Sequence, residues 1–362
     1  MKDEIRSIHQ LVSGFASGDA ISLEALRLRQ LCRDMGFNSD IFAPRDRTAP
    51  DMFNECRPLE QYEGTAGDSV IFHYSISSPA EDLFLRTRAK RIVYYHNITP
   101  AEFFDAFDEN IAAQLRLART RLAEIAGQAD AVWAVSDFNA SELRAAGIHD
   151  VRVFPLLFSP QAANDPCHSG FTVPKELTNI LFVGRMAPNK CVEDLISAFA
   201  WYHLWINRRS RIFLIGSERT CPAYFTMLQL YARELDLNNV CFQRFVSPTQ
   251  LQAFYRSADV FVCASRHEGY CLPLLEAMHY GVPVIARNMG GMPEALGGAG
   301  ILYDDMKPEE LATLMHKAIS DAALRTRLIE SQTARMRDIA GRQVKAEFGA
   351  LMDGVMSKRG HQ

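Results

Sequence analysis

The chain reads as an α/β protein made of two doubly wound parallel-sheet halves. Apolar, β-rich runs alternate with helical stretches along almost the whole sequence, the order that a parallel sheet with crossover helices requires. Between residues 154 and 177 the alternation gives way to four prolines and small polar residues with no clean period, which is linker composition. A length of 362 residues also exceeds what one hydrophobic core accommodates. We therefore expect a first domain at 1–157, a linker at 158–176, a second domain at 177–340 and a closing helical segment at 341–362.

Composition narrows the function classes. Apolar residues make up 48% and charged residues 23%, the balance of an ordinary globular protein able to bury sizeable cores. A net charge of −4 argues against a nucleic-acid partner. The eight cysteines show no Cys-x-x-Cys pair and no histidine spacing, so neither a zinc site nor a disulfide framework is expected, in keeping with a reducing compartment. No cleavable leader and no twenty-residue apolar span is visible, so a cytoplasmic protein is expected.

In the first half, an apolar strand at 5–12 runs into a loop, 13–20, that contains Gly14 and Gly18, and then into a helix at 21–35 stopped by Gly36. Strand, glycine-containing loop and helix make a phosphate-loop candidate, but the three-glycine dinucleotide fingerprint is missing. Strands at 39–42, 69–74, 91–95 and 131–135 follow, with helices from Pro79 and at 111–125. Polar residues close several strands: His73, Tyr74 and Ser75, then His96 and Asn97, then Ser136 and Asp137. Strand ends converge on one crevice in such a sheet. Arg86, Arg88, Lys90, Arg91, Arg116, Arg119 and Arg121 form a local basic excess, either a solvated face or a hold on an anionic membrane surface or lipid phosphate.

The second half restarts with a strand at 179–183, then Gly184, Arg185 and, after a short loop, Lys190. Glycine lets the backbone turn, and both cations then reach the strand's carboxyl end. A helix at 192–205, a strand at 211–215, a helix at 224–235 and a strand at 240–242 lead to the loop 244–247 and a helix at 248–257. The strand 260–264 passes through a polar loop carrying Glu268 into a helix whose first turn begins at Pro273 and which holds Glu276. A helix amino terminus beside a strand's carboxyl end is where open α/β sheets bind anions, because unpaired N–H groups and the helix dipole point there. A further strand at 283–286 ends in the glycine-rich turn 288–293, with Glu294 after it. From Pro308 onward the chain is helical and amphipathic.

Glu268, Gly269, Pro273, Glu276, Gly281, Pro283 and Val284 together resemble the donor-binding signature of the retaining glycosyltransferases of family 4, whose mark is two glutamates separated by seven residues. The resemblance covers nearly the whole chain. It implies the GT-B fold, two facing Rossmann-like domains with a nucleotide-sugar site in the second, an acceptor site in the first, and a final helix, 343–356, that returns to the first domain. It implies roles residue by residue. Arg185 and Lys190 match the pyrophosphate clamp, Glu268 and His96 the contacts to the sugar, and Glu276 the contact to the ribose. Gly18 and the N–H groups of Gly269, Tyr270, Cys271 and Leu272 match donor contacts, and Phe245 and Val246 match the nucleobase loop. Asp19 departs from the second glycine usual in the first loop. No Asp-x-Asp motif is present, so no metal and no cofactor beyond the donor is expected, and cations with helix N–H groups take the metal's electrostatic place.

Within the family, the segment 96–100 and the Gly-Asp-Ala loop are similar to bacterial transferases that build O-antigen and exopolysaccharide chains, which favours a mannose-like hexose from a GDP-sugar, with a UDP-sugar as the alternative. The expected partners are then the nucleotide-sugar and a glycan or lipid-linked acceptor, with peripheral contact at the inner membrane face. A sugar-nucleotide epimerase and a non-catalytic nucleotide-sugar-binding module are the rival readings. Epimerised free donor would mark the first, and tight binding without turnover the second.

Overall fold

The computed structural model describes residues 7–158 and 172–357, so most of the expected linker lies outside the described residues. The chain divides into two compact units: residues 1–102, 110–157 and 342–362 form the first, and 103–109 with 158–341 the second.

The first unit is a seven-stranded sheet whose observed pairs are all parallel. Its strands are β1 (Ile8–Val12), β2 (Ile41–Ala43), β3 (Arg57–Pro58), β4 (Ser69–Tyr74), β5 (Lys90–Tyr95), β6 (Ala131–Ala134) and β7 (Val151–Val153), in the order β3-β2-β1-β4-β5-β6-β7. Every residue of β4 is buried, as in a strand covered on both faces by helices. The helix Val344–Ser357 belongs to this unit. Phe348, fully buried, packs edge-on against Trp133 with ring centres 6.0 Å apart and against Phe154 at 6.2 Å, and Arg342 donates to the Pro155 carbonyl at 3.1 Å.

The second unit is a six-stranded sheet, again with parallel pairs: β8 (Thr178–Val183), β9 (Ser210–Ile215), β10 (Val240–Gln243), β11 (Val260–Cys263), β12 (Val284–Arg287) and β13 (Ile301–Tyr303), in the order β10-β9-β8-β11-β12-β13. The order reverses between β8 and β11. Loops after those two strands therefore leave to opposite sides and open a crevice at the strands' carboxyl ends.

The doubly wound α/β expectation holds for both units, with local corrections. β3, β7 and β13 were not expected. Each is only two or three residues long and lies at or next to a sheet edge, too short for a period to register. The helix foreseen at 192–205 is α-helical only over Val192–Trp201 and continues as a π turn, Tyr202–Ile206. The helix after β11 starts at Leu272, one residue before Pro273. No helix among the described residues is long and apolar enough to cross a membrane.

Candidate active site

The second unit gathers its chemistry at the β8/β11 reversal. The loop after β8 carries Lys190 at the end of a short 3-10 turn, and the loop after β11 carries Glu268. Lys190 Nζ lies 2.5 Å from Glu268 Oε1, which also accepts from Ser265 Oγ at 2.8 Å. Backbone groups of the two loops are hydrogen-bonded as well. Asn189 donates from Nδ2 to the His267 carbonyl at 3.0 Å, and the Arg266 N–H donates to the Asn189 carbonyl at 2.9 Å. Burial alone would lower the Lys190 ammonium, yet the Glu268 carboxylate overrides it and the net shift is upward, against the nearby Arg185 charge. Arg185 itself is exposed.

A third loop supports Glu268 from behind. Gly291 N–H donates to the Glu268 carbonyl at 2.9 Å. Gly290, with φ +60°, lies so close that a Cβ there would stand 2.4 Å from that same oxygen, so only glycine fits. Gly216 plays the same part behind the β8 loop, where a Cβ would come within 1.9 Å of the Gly184 carbonyl. Arg287, at the end of β12 and almost wholly buried, donates from Nε to the Ala264 carbonyl at 3.0 Å and pairs with Asp194 at 2.7 Å and Asp305 at 2.6 Å. One guanidinium thus ties the β11 loop to the helix after β8 and to the turn after β13.

The N–H groups of Cys271 and Leu272 stand at the start of the helix Leu272–His279, with Cys271 at its amino cap. Tyr270 and Cys271 are buried and Gly269 is half-buried. Glu276, one turn into that helix, accepts from Tyr255 Oη at 2.7 Å. Phe245 and Val246 follow β10, two strands from β8, and do not join this cluster. Phe245 is 63% exposed, with the Arg219 guanidinium 4.8 Å from its ring centre.

Cys263 and Cys271 show that two of the cysteines meet although no Cys-x-x-Cys spacing announces them. The loop between them folds back and places their Sγ atoms 3.9 Å apart. Eight positions of separation carry no recognisable spacing, so only the fold reveals the pair.

His96 and Gly18 belong to the first unit. Gly18 is exposed, with φ +75°, just before the helix Ala20–Asp34. Asp19, which departs from the family pattern, is that helix's amino cap: its carboxylate accepts from the Ser22 N–H at 2.9 Å and Ser22 Oγ at 3.0 Å.

His96 ends a buried relay. Val12 pairs with His73, and His73 with Tyr94, so Gln10, His73 and His96 share one face of the sheet by the two-residue period of strands. Gln10 Nε2 donates to the Ala25 carbonyl at 3.0 Å, which turns Gln10 Oε1 toward His73 Nε2 at 2.8 Å. His73 Nδ1 meets His96 Nε2 at 2.8 Å. Burial brings His73 down to about 3. Burial, and the repulsion that a second imidazolium would meet beside His73, holds His96 well below its usual range. Both rings are therefore neutral at physiological pH. With Gln10 Oε1 as acceptor, His73 Nε2 carries its proton, His73 Nδ1 accepts from His96 Nε2–H, and His96 Nδ1 keeps its lone pair.

Part of the basic excess is already matched within the unit. Arg119 pairs with Glu142 at 3.1 Å, Arg121 with Glu81 at 2.5 Å, and Lys90 with Asp130 at 3.4 Å.

Sequence reasoning thus named Lys190, Glu268, Glu276 and His96. It missed Ser265, Gly290, Arg287, Gln10 and the partnership of His73 with His96. Polar residues at strand ends were the one signal, and it singled out His73 without saying what it touches.

Residues 168–335 match the family model described as glycosyl transferases group 1. Among curated proteins, D-inositol 3-phosphate glycosyltransferase of Corynebacterium glutamicum (strain R) is 28% identical over 209 residues, a stretch that makes up 56% of this chain and 50% of that protein. O-antigen chain mannosyltransferase B of Escherichia coli is 31% identical over 155 residues, 43% of this chain and 39% of that protein. The matched stretches thus span half or less of these relatives. Among solved structures, sucrose-phosphate synthase from Thermosynechococcus elongatus aligns with a TM-score of 0.73 at 20% identity, over 97% of this chain and 100% of that one. At that identity the likeness shows the fold alone, and the fold is the GT-B class with its two Rossmann-like units.

Proposed function

We propose that this chain, which carries a glycosyl transferases group 1 domain over residues 168–335, moves a hexose from a nucleotide-sugar to a glycan or lipid-linked acceptor, with retention and without a metal. The observation that carries the reading is the Lys190–Glu268 pair, closed by Ser265 at the carboxyl end of β11, with the Glu268 carboxylate within 4.8 Å of the thiol of Cys271, the cap residue of the next helix. A buried cation beside a buried carboxylate suits a substrate that separates charge as it reacts. Breaking the bond from the anomeric carbon to the diphosphate leaves negative charge on the phosphates and positive character on the sugar.

In this proposal Arg185, Lys190 and the N–H groups of Tyr270, Cys271 and Leu272 stabilise the departing diphosphate. Glu268 holds sugar hydroxyls on the side where positive character develops, Glu276 accepts from the ribose, and Phe245 and Val246 meet the base. Gly18 is proposed to approach the diphosphate through its backbone. His96, neutral and with a lone pair at Nδ1, accepts from a sugar hydroxyl. Similarity to an O-antigen chain mannosyltransferase favours a mannose-like hexose and a role in cell-surface polysaccharide synthesis; we propose a GDP-sugar donor ahead of a UDP-sugar. With a lipid-linked acceptor the enzyme would work in the cytoplasm, peripheral to the inner membrane face, and we propose that placement.

The test is nucleotide release from a panel of GDP-, UDP- and ADP-sugars, with and without lipid-linked acceptor. Glu268→Ala and Arg185→Ala are each expected to cut turnover about a hundredfold or more. Near-wild-type rates in both variants would defeat the reading. For retention, the anomeric proton of the product, seen by NMR, is expected to keep the donor's configuration; an inverted product refutes that part.

A further inference from the structure

Behind Glu268 lie two thiols that the proposed sugar transfer does not use, and with the Glu268 carboxylate they form a donor set of a different chemical kind. Cys263 ends β11 and Cys271 caps the helix Leu272–His279, and their Sγ atoms are 3.9 Å apart. One ligand atom from each of Cys263, Cys271 and Glu268 lies within 4.8 Å of the others. Met292 Sδ, from the helix after β12, stands 3.6 Å from Cys263 Sγ. The three residues are buried, at 1%, 9% and 8% exposure.

Spacing identifies the ligand class. Two thiolates on a tetrahedral zinc ion sit about 3.8 Å apart, given a Zn–S bond of about 2.3 Å. The observed pair already has that separation, whereas a disulfide would need the sulfurs to close to about 2.05 Å. Sulfur donors select soft or borderline cations over Mg²⁺ and Mn²⁺, which prefer oxygen.

We propose that Cys263, Cys271 and Glu268 form a site for a thiophilic divalent cation of the Zn²⁺ and Cd²⁺ class, with Met292 at its edge. Coordination releases the two thiol protons to solvent and draws the Glu268 carboxylate away from Lys190. Cation and ammonium then compete for the oxygen that Lys190 Nζ now holds at 2.5 Å. Where Glu268 acts as proposed above, the filled site is an inhibited one. That consequence rests on the glycosyltransfer reading, while the binding itself does not.

Cys271 makes a well-behaved test position. Its φ of +70° lies in the left-handed region that favours glycine, so Cys271→Gly removes a ligand while easing the backbone. The experiment is equilibrium binding of Cd²⁺ to the reduced, untagged full chain without sugar nucleotide, read by calorimetry and by the ultraviolet thiolate-to-metal charge-transfer band. One tight equivalent is expected in the wild type. Affinity should fall about a hundredfold or more in Cys271→Gly and in Cys263→Ser, at or beyond the upper end of the roughly 10–100-fold that losing even an outer-shell partner costs. Lys190→Ala should tighten binding, because the competitor for Glu268 is gone. Absence of a tight equivalent in the wild type overturns the site, as does undiminished binding in both cysteine variants, which would put the cation on other thiols. An unchanged affinity in Lys190→Ala removes Glu268 from it.

Discussion

Just past the end of β5, His96 meets His73 and, through it, Gln10; just past the end of β11, Glu268 meets Lys190 and Ser265. Both groups are polar clusters in buried surroundings. The first is neutral throughout, because no countercharge among the described residues offsets the cost of burying an imidazolium. The second is ionic, because each charge has the other within hydrogen-bond distance and a hydroxyl completes the set. A neutral relay fixes the direction of a hydrogen bond; an ion pair holds two opposite charges together out of water.

The ionic cluster breaks most severely. Lys190→Met leaves the buried Glu268 carboxylate without its cation and is expected to cost about 3–5 kcal/mol in denaturant unfolding. Adding Glu268→Leu should restore most of that stability without restoring nucleotide release. A single variant as stable as the wild type would show that the pair is not the ionic element described.

Glu24, a buried carboxylate of the first unit, sharpens the contrast. Its Oε2 accepts from the Leu157 N–H at 2.8 Å, and burial raises the group from 4.5 to about 7. The folded chain then holds this proton more tightly than the unfolded one, so stability is full below about 4.5 and declines as pH rises toward 7. Glu24→Gln should therefore raise stability at pH 8 by up to roughly 3 kcal/mol, and by almost nothing at pH 4. Thermal unfolding at the two pH values checks it, and equal gains at both would contradict the assigned cause.

The smallest effect is an expected stillness. Ring nitrogen-15 shifts of His73 and His96 should report neutral rings, with the proton on Nε2, unchanged from pH 8 to pH 5.5. Their depressed values place the linked stability above about 6.5, the unfolded value, and it declines as pH falls through that point, for His73 down to about 3. A ring that charges near pH 6.5 would dissolve the contrast between the two clusters.

Some of this was readable from residue order. Gly184, Arg185 and Lys190 after a strand, and Glu268 ahead of a proline-marked helix, are local patterns, and local patterns survive in sequence. Ser265 stood three places from Glu268 without a reason to be singled out. Gly290 looked like one glycine among several in a loop, because its need for a missing Cβ arises only where the Glu268 carbonyl comes to lie against it. Arg287 closed an apolar strand and gave no hint of Asp194, which lies 93 positions away.

The order of amino acids determined by itself the alternation of strands and helices, the break between two halves, and the loops that carry charge at strand ends. Each of these follows from backbone preference and apolar period over a few residues. Which loops meet was decided only in three dimensions, by strand order and register. The β8/β11 reversal brings Lys190 to Glu268 across 78 positions, the β1/β4/β5 register aligns Gln10, His73 and His96, and one turn of loop closes Cys271 onto Cys263. Protonation followed from those meetings, since a buried group keeps its charge only where the fold has placed a partner beside it.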